Sequence, residues 1–268
     1  MKPKTFLAAP FICALALSLL ATRAFAQAQD ADALAKSLAN PVAALISVPF
    51  QGNFDSGYAN GGWRSTLNIQ PVIPIKLNEN WNLIQRAVMP IIVQKDAGAP
   101  GSESGLGDTV ATSFFSPKAP TASGWIWGAG PVFLLPTATN DAFASKKLGV
   151  GPSALALKQD GPWTYGVLIN QLWSVAGSDS RPDVSAMFLQ PFATFGAGKG
   201  RSYSANFEST YDWKHEQWTI PLNVMASQVM KLGDQLASLS LGARVYLDRP
   251  SGGPTWGLRF GVTLLFPK

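Results

Sequence analysis

Cysteine is almost missing from this 268-residue chain, and the single one, Cys13, sits in an apolar N-terminal run. Without that run no thiol remains, which excludes a disulfide framework and thiolate chemistry. Cys13 also lacks the small residues that precede a lipid-anchored cysteine. Histidine is equally scarce: His215 is the only one, in the short stretch Lys214-His215-Glu216. A zinc or transition-metal cluster of His and Cys is therefore absent, and neither a metal nor a cofactor is expected. A hydrolase would need a serine beside a positioned histidine. No GxSxG elbow is present, so no catalytic residue is assigned and the chain does not read as an enzyme.

Phosphate loops are missing too. "GLGD" (105–108) and "GVGPS" (149–153) continue neither as GxGxxG nor as a Walker loop and open no helix-like pattern. They read as glycines at strand entries. Asp179 and Asp183 read as an ordinary solvated loop, with a weak calcium site as the alternative.

What is present begins with an export signal. Lys2 and Lys4 precede an apolar stretch from Phe6 to Leu20, and Ala24-Phe25-Ala26 supplies a small-x-small cleavage pattern. Residues 1–26 are predicted to be a cleaved secretory signal peptide. Three of the 21 basic residues (Lys2, Lys4, Arg23) leave with it, so 18 face 16 acidic ones in the remainder. That near-balance does not argue for a nucleic-acid partner. Beyond Ala26 no apolar run approaches the ~18 residues of a membrane helix. Residues 27–41 are Ala-rich, with Asp30 or Asp32 as a helix cap and Pro41 as a stop, and read as an N-terminal periplasmic lead-in, flexible or briefly helical, with a plug as the alternative. Residues 42–268 read as one domain.

From there the pattern has period two. Twelve strands are predicted, at 43–54, 64–77, 81–94, 106–116, 124–136, 147–158, 163–176, 184–195, 201–213, 217–231, 236–247 and 255–267. In the last, Trp256, Leu258, Phe260, Val262, Leu264 and Phe266 share one face, and Arg259 and Thr263 the other. Most of these runs are longer than the ~5–6 residues usual in soluble sheets and match the ~9–11 of a tilted membrane strand. Short turns such as 78–80 and 233–234 tend to alternate with longer loops such as 95–105 and 137–146, as in outer-membrane barrels. Tryptophan collects where strands end, the place its amphipathic ring takes at a membrane surface. Trp81, Trp125 and Trp163, with Phe266, mark a periplasmic girdle, and Trp63, Trp173, Trp213, Trp218 and Trp256 an outer one.

The fold class expected is thus all-β: a single antiparallel transmembrane β-barrel of about 12 strands, of the bacterial outer-membrane type. The first strand, around Leu45–Asn53, would close against the last. Eight prolines (Pro49, Pro71, Pro74, Pro90, Pro131, Pro152, Pro191, Pro221) fall inside predicted strands and call for bulges or bends. A soluble β-sandwich is the alternative fold.

Six stretches spread through the chain carry a family likeness: "NPVAALISVPFQGNFD" (40–55), "GVGPSALAL" (149–157), "GPWTYGVLINQLWSVAG" (161–177), "FLQPFATF" (188–195), "WTIPLNVMASQVMKL" (218–232) and "DRPSGGPTWGLRFGVTLLFPK" (248–268). With "GLGDTV" (105–110), they resemble the outer-membrane barrel family named for meta-pathway phenol degradation. That resemblance implies an outer-membrane channel or transporter, with aromatic or other hydrophobic compounds as solutes, and it brings no catalytic residues.

If the apolar face meets lipid, the other face lines a lumen, narrow at twelve strands. Arg86, Glu208, Asp212, Arg244 and Arg259 are the inward candidates, either selecting solute or pairing across the wall to brace it. The function expected is passive uptake of small solutes in the bacterial outer membrane after signal-dependent export. A closed structural or surface-interaction barrel is the second reading, and an outer-membrane hydrolase built on His215 the third. Expected partners are outer-membrane lipid, the small-molecule solute and the barrel-assembly machinery, which reads a terminal aromatic such as Phe266.

Overall fold

The protein is described here by a computed structural model that covers residues 30–98 and 100–267. The export signal expected at residues 1–26 lies outside the described residues. The strand segments are β1 (Ile46–Ser56), β2 (Trp63–Ile69), β3 (Val72–Lys76), β4 (Trp81–Lys95), β5 (Ser102–Leu106), β6 (Thr109–Pro117), β7 (Trp125–Leu135), β8 (Lys147–Asp160), β9 (Trp163–Gly177), β10 (Ser185–Gly198), β11 (Arg201–Phe207), β12 (Ser209–Asp212), β13 (Gln217–Leu232), β14 (Gln235–Asp248) and β15 (Trp256–Phe266). Three wall strands come in two pieces each, β2 with β3, β5 with β6 and β11 with β12, so these 15 segments form twelve wall strands. Each pairs antiparallel with its neighbours in the chain. β1 and β15 then join from Ile46↔Phe266 to Ser56↔Trp256, which closes the barrel and leaves no sheet edge. The all-β, twelve-strand antiparallel barrel expected from the sequence is the fold observed.

β1 begins at Ile46, three residues after the predicted start of that strand, because residues 39–45 turn into the barrel mouth instead of extending the wall. Most other boundaries follow the period-two pattern closely, as in β13 and β15.

The prolines, at which bulges or bends are expected, have two consequences in the wall. Only Pro221 sits at a register shift, between Ile220 and Pro221, while Pro49 and Pro191 keep regular register with their neighbours. The other consequence appears on the neighbouring strand. At the three places where a wall strand divides, the residue at the break donates its N–H to a proline carbonyl: Gln70 to Pro49, Gly107 to Pro90 and Glu208 to Pro221. Proline accepts but has no N–H to return, so only half of the reciprocal pair forms and the ladder lapses there.

A second lapse lies between β6 and β9. Pro131 faces Pro152 across β7 and β8, each preceded by a glycine. Pairing skips from Thr112↔Val132 to Phe115↔Ala129, and from Val150↔Trp173 to Ser153↔Asn170. The Ser113 and Gln171 carbonyls stand where side chains on Gly130 and Gly151 would be, so this close approach requires glycine.

The alternation sorts the two faces. Leu241, Leu258 and Phe260 point outward and are exposed, whereas Arg259, Asn53 and Asp55 point inward and are buried. Outside, the Phe260 ring covers Gly52 on the paired strand.

The one helix among the described residues, α1 (30–38), crosses the end of the barrel that carries the short turns. Asp32 does not cap it but accepts from the Gly200 N–H at 2.5 Å, in the turn between β10 and β11. Lys36 donates to the Gly161 carbonyl at 3.3 Å, and Gln159 donates to the Lys36 carbonyl at 2.9 Å. Ala35 and Leu45 are buried with Val229 and Leu265. Beyond Pro41 the chain enters the lumen, where Val42 packs with Ile84, Phe114, Leu155, Leu157 and Leu168. The described part of the expected lead-in, residues 30–41, therefore lies in the mouth and floors the lumen.

Candidate functional site

The inward faces of the strands build the site. Successive inward residues of β1 and β15 climb from Ser47 and Leu265 at the short-turn end to Asp55 and Gly257 at the long-loop end. The lumen between them holds three cavities in sequence. The outer one, about 480 Å³, is lined by Asp55, Tyr58, Arg64, Arg244 and Glu208 beneath the loop 249–255. The middle one, about 360 Å³, shares Glu208 and Asn68 with it. The inner one, about 270 Å³, shares Gln51, Gln70 and Arg86 with the middle one and is floored by residues 35–45.

A charge cluster stands between the outer and middle cavities. The Glu208 break between β11 and β12 lets that carboxylate reach across to β15. Arg259 donates to both Glu208 oxygens, at 2.7 and 2.6 Å, and its Nε donates to Asn53 Oδ1 at 2.7 Å. Arg259 is 1% exposed. Arg244 on β14 approaches Asp55 at 3.3 Å and Glu208 at 4.0 Å, and its guanidinium lies 5.3 Å from the Tyr246 ring centre. Two cations and two carboxylates thus form one balanced network. Such a network is stable in a partly dry lumen only with this geometry, because each charge loses its water. Beside it, Asn223 donates to Asn206 at 2.8 Å.

The inward candidates separate into three groups. Glu208, Arg244 and Arg259 meet in the cluster. Arg86 lines the middle and inner cavities, and among the described residues it has no ion pair or side-chain hydrogen bond. Asp212 stands apart at the hairpin from β12 to β13, accepting from the Lys214 N–H at 2.8 Å and lying 2.7 Å from the His215 ring. His215 is fixed there by Asp212, and no serine hydroxyl is hydrogen-bonded to its ring among the described residues. Asp55, Asn53, Arg64 and Tyr246 complete the outer cavity. Asp55, next to last in β1, stands opposite Arg64 and beyond the strand expected at 43–54. Its strict alternation with Asn53 and Gln51 was the available signal. Lys147 also points inward, at the long-loop end, and pairs with Asp183 at 3.0 Å.

The aromatic residues stand on the outer face at the two ends. Trp81, Trp125, Trp163 and Phe266 lie at the short-turn end, and Trp81 meets Trp127 edge-on at 5.8 Å. Trp63, Trp173, Trp218 and Trp256 lie near the long-loop end, with Trp213 in the β12–β13 hairpin. Tyr211 packs between Trp213 and Trp218, at 4.7 and 4.8 Å.

No family model matches this chain, and no curated protein matches it. Among solved structures, it is similar to an outer membrane channel from Pseudomonas putida F1, at TM-score 0.65 and 18% identity over 83% of this chain and 94% of the other. It is also similar to the NanC porin, at TM-score 0.52 and 10% identity over 82% of this chain and 100% of the other. A slighter likeness, TM-score 0.49 at 11% identity, is to the outer membrane phospholipase A of Escherichia coli and covers 87% of this chain and 98% of that one. The first two establish the class of fold, a β-barrel of the outer-membrane type.

Proposed function

We propose that this protein is an outer-membrane channel through which small solutes enter passively. The carrying observation is the lumen. Beside the apolar packing around Val42, it holds a series of cavities that share lining residues from the long-loop end to the floor made by residues 35–45. The outward apolar faces and the two aromatic belts support a membrane setting. The predicted export signal and the aromatic Phe266 support delivery to the bacterial outer membrane by the barrel-assembly machinery. The resemblance to the meta-pathway phenol-degradation family makes aromatic and other hydrophobic compounds the first solutes to try.

The residues in the mouth favour a second reading. With Val42 buried among lumen side chains and the charge cluster spanning the wall, the barrel could be closed and serve as a structural or interaction protein. A hydrolase ranks below both, since the site contains no nucleophile paired with His215 among the described residues. Liposome swelling with purified, folded barrel tests the proposal. Entry of small neutral solutes supports a channel, and no entry of any solute refutes it.

A further inference from the structure

The middle cavity sets one charge apart. Of the arginines facing the lumen, Arg259 and Arg244 are occupied by Glu208 and Asp55, and Arg64 donates to Gln94 at 2.8 Å. Arg86 alone has no partner among the described residues, although it is held on β4 between Val72 and Thr112 and opens onto two cavities. Glu208, the carboxylate lining the same cavity, already has both oxygens on Arg259. The uncompensated charge of the chamber is therefore positive and belongs to Arg86.

The remaining walls are of two kinds. Gln51, Gln70, Asn170 and Gln190 present amides whose side chains make no hydrogen bond to the protein among the described residues. Val110, Leu168, Leu172 and Phe188 form an apolar wall. A pocket with one oriented cation, uncharged amides and an apolar surface fits a ligand with the same division. We propose that the middle cavity is a recognition site for monocarboxylates with an apolar body. The carboxylate takes Arg86 through its paired N–H donors, and the apolar body lies along Leu168, Leu172 and Phe188. Arginine suits this role because its planar fork matches a carboxylate, and a guanidinium short of water gains most from an anion that restores its hydrogen bonds. This inference deepens the channel reading and rests on it for its biological setting, though binding itself can be measured without transport.

The test uses the purified, folded mature barrel in non-ionic detergent with benzoate and benzamide, which share a shape but differ in charge. Calorimetric titration is expected to show benzoate binding about tenfold or more tightly than benzamide, the scale of a charge-assisted contact. Arg86→Gln should remove that preference, and Arg86→Lys, which keeps the charge but not the fork, should retain only part of it. Equal affinity of the wild type for both probes, or a preference that survives in both variants, overturns the site. If Arg86→Gln does not fold, Arg86→Lys decides, and an undiminished preference there refutes the arginine fork. Liposome flux run in parallel separates this inference from the channel reading. Benzoate binding without flux of any solute keeps the site and refutes the channel, whereas flux without a carboxylate preference keeps the channel and refutes the site.

Discussion

Arg259 and Glu208 lie 51 residues apart in the chain and meet across the lumen through two parallel hydrogen bonds of 2.7 and 2.6 Å. The strand break opposite Pro221 puts Glu208 there, and strict alternation along β15 puts Arg259 there. Their union divides the lumen into an outer and a middle chamber and ties β11–β12 to the strand that closes the barrel.

Breaking this pair should cost more than removing it. Glu208→Ala leaves Arg259 buried without its carboxylate, and a loss of about 3 kcal/mol is expected, at the lower end for a broken buried pair. The double replacement Glu208→Leu with Arg259→Met should lose much less. Denaturant unfolding of the three proteins, followed by heat-modifiable gel mobility, measures the difference. Equal losses would mean that the pair is not desolvated as described.

Arg86 should behave in the opposite way. Because no protein partner is lost, Arg86→Gln is expected to leave the unfolding midpoint unchanged or raise it. A drop as large as that of Glu208→Ala would assign Arg86 to the brace.

The glycine at the β8–β9 seam is expected to be intolerant. Gly151→Ala places a methyl group against the Gln171 carbonyl and should cost about 1–3 kcal/mol through strand displacement. Gly128→Ala, whose new methyl would meet Phe114, Ser116 and Val42 at an ordinary 3.4 Å, is the control and should be near neutral. Thermal unfolding of both variants checks the contrast.

One pH effect belongs to the long loops. Asp183 is held below the ordinary carboxylate range by its hydrogen bond from Lys147, helped by Ser174. A lowered carboxylate stabilises the fold above its unfolded value of about 3.9 and stops doing so as the pH falls through the folded value. The tie from β8 to loop 178–184 should therefore persist at pH 5 and above, begin to weaken only below about pH 4, and be lost as the pH falls through the lowered folded value. Asp183 is solvent-exposed, so the effect is local. Limited proteolysis should cut this loop faster in acid, and Asp183→Asn should show the faster cutting at neutral pH.

Much of the architecture was legible because a barrel wall repeats a local rule. Period two in Trp256–Phe266 assigned both faces of β15, and the inward place of Arg259 followed from parity alone. Tryptophans at strand ends gave the two belts for the same reason. The partners were not legible. Nothing local in Asp55, 189 residues from Arg244, says that the two meet, because barrel closure and inter-strand register create that proximity. Asp55 itself falls just outside the strand expected at 43–54, since β1 runs two residues further. The prolines call for bulges or bends in the wall, but their own positions do not say where a neighbouring strand will divide, because the missing N–H groups of Pro49, Pro90 and Pro221 act on the strand alongside. Residues 30–45 have the composition of a loose leader. Their place in the mouth depends on surfaces such as Gly200, Val229 and Leu265 that the leader's own sequence does not reveal.

The most direct measurement is solute entry into liposomes carrying the folded barrel, compared with a form lacking residues 30–41. If the lumen is a conduit floored by that segment, small neutral solutes should enter through the intact protein and faster through the shortened one. A folded barrel that admits no solute in either form would contradict the account.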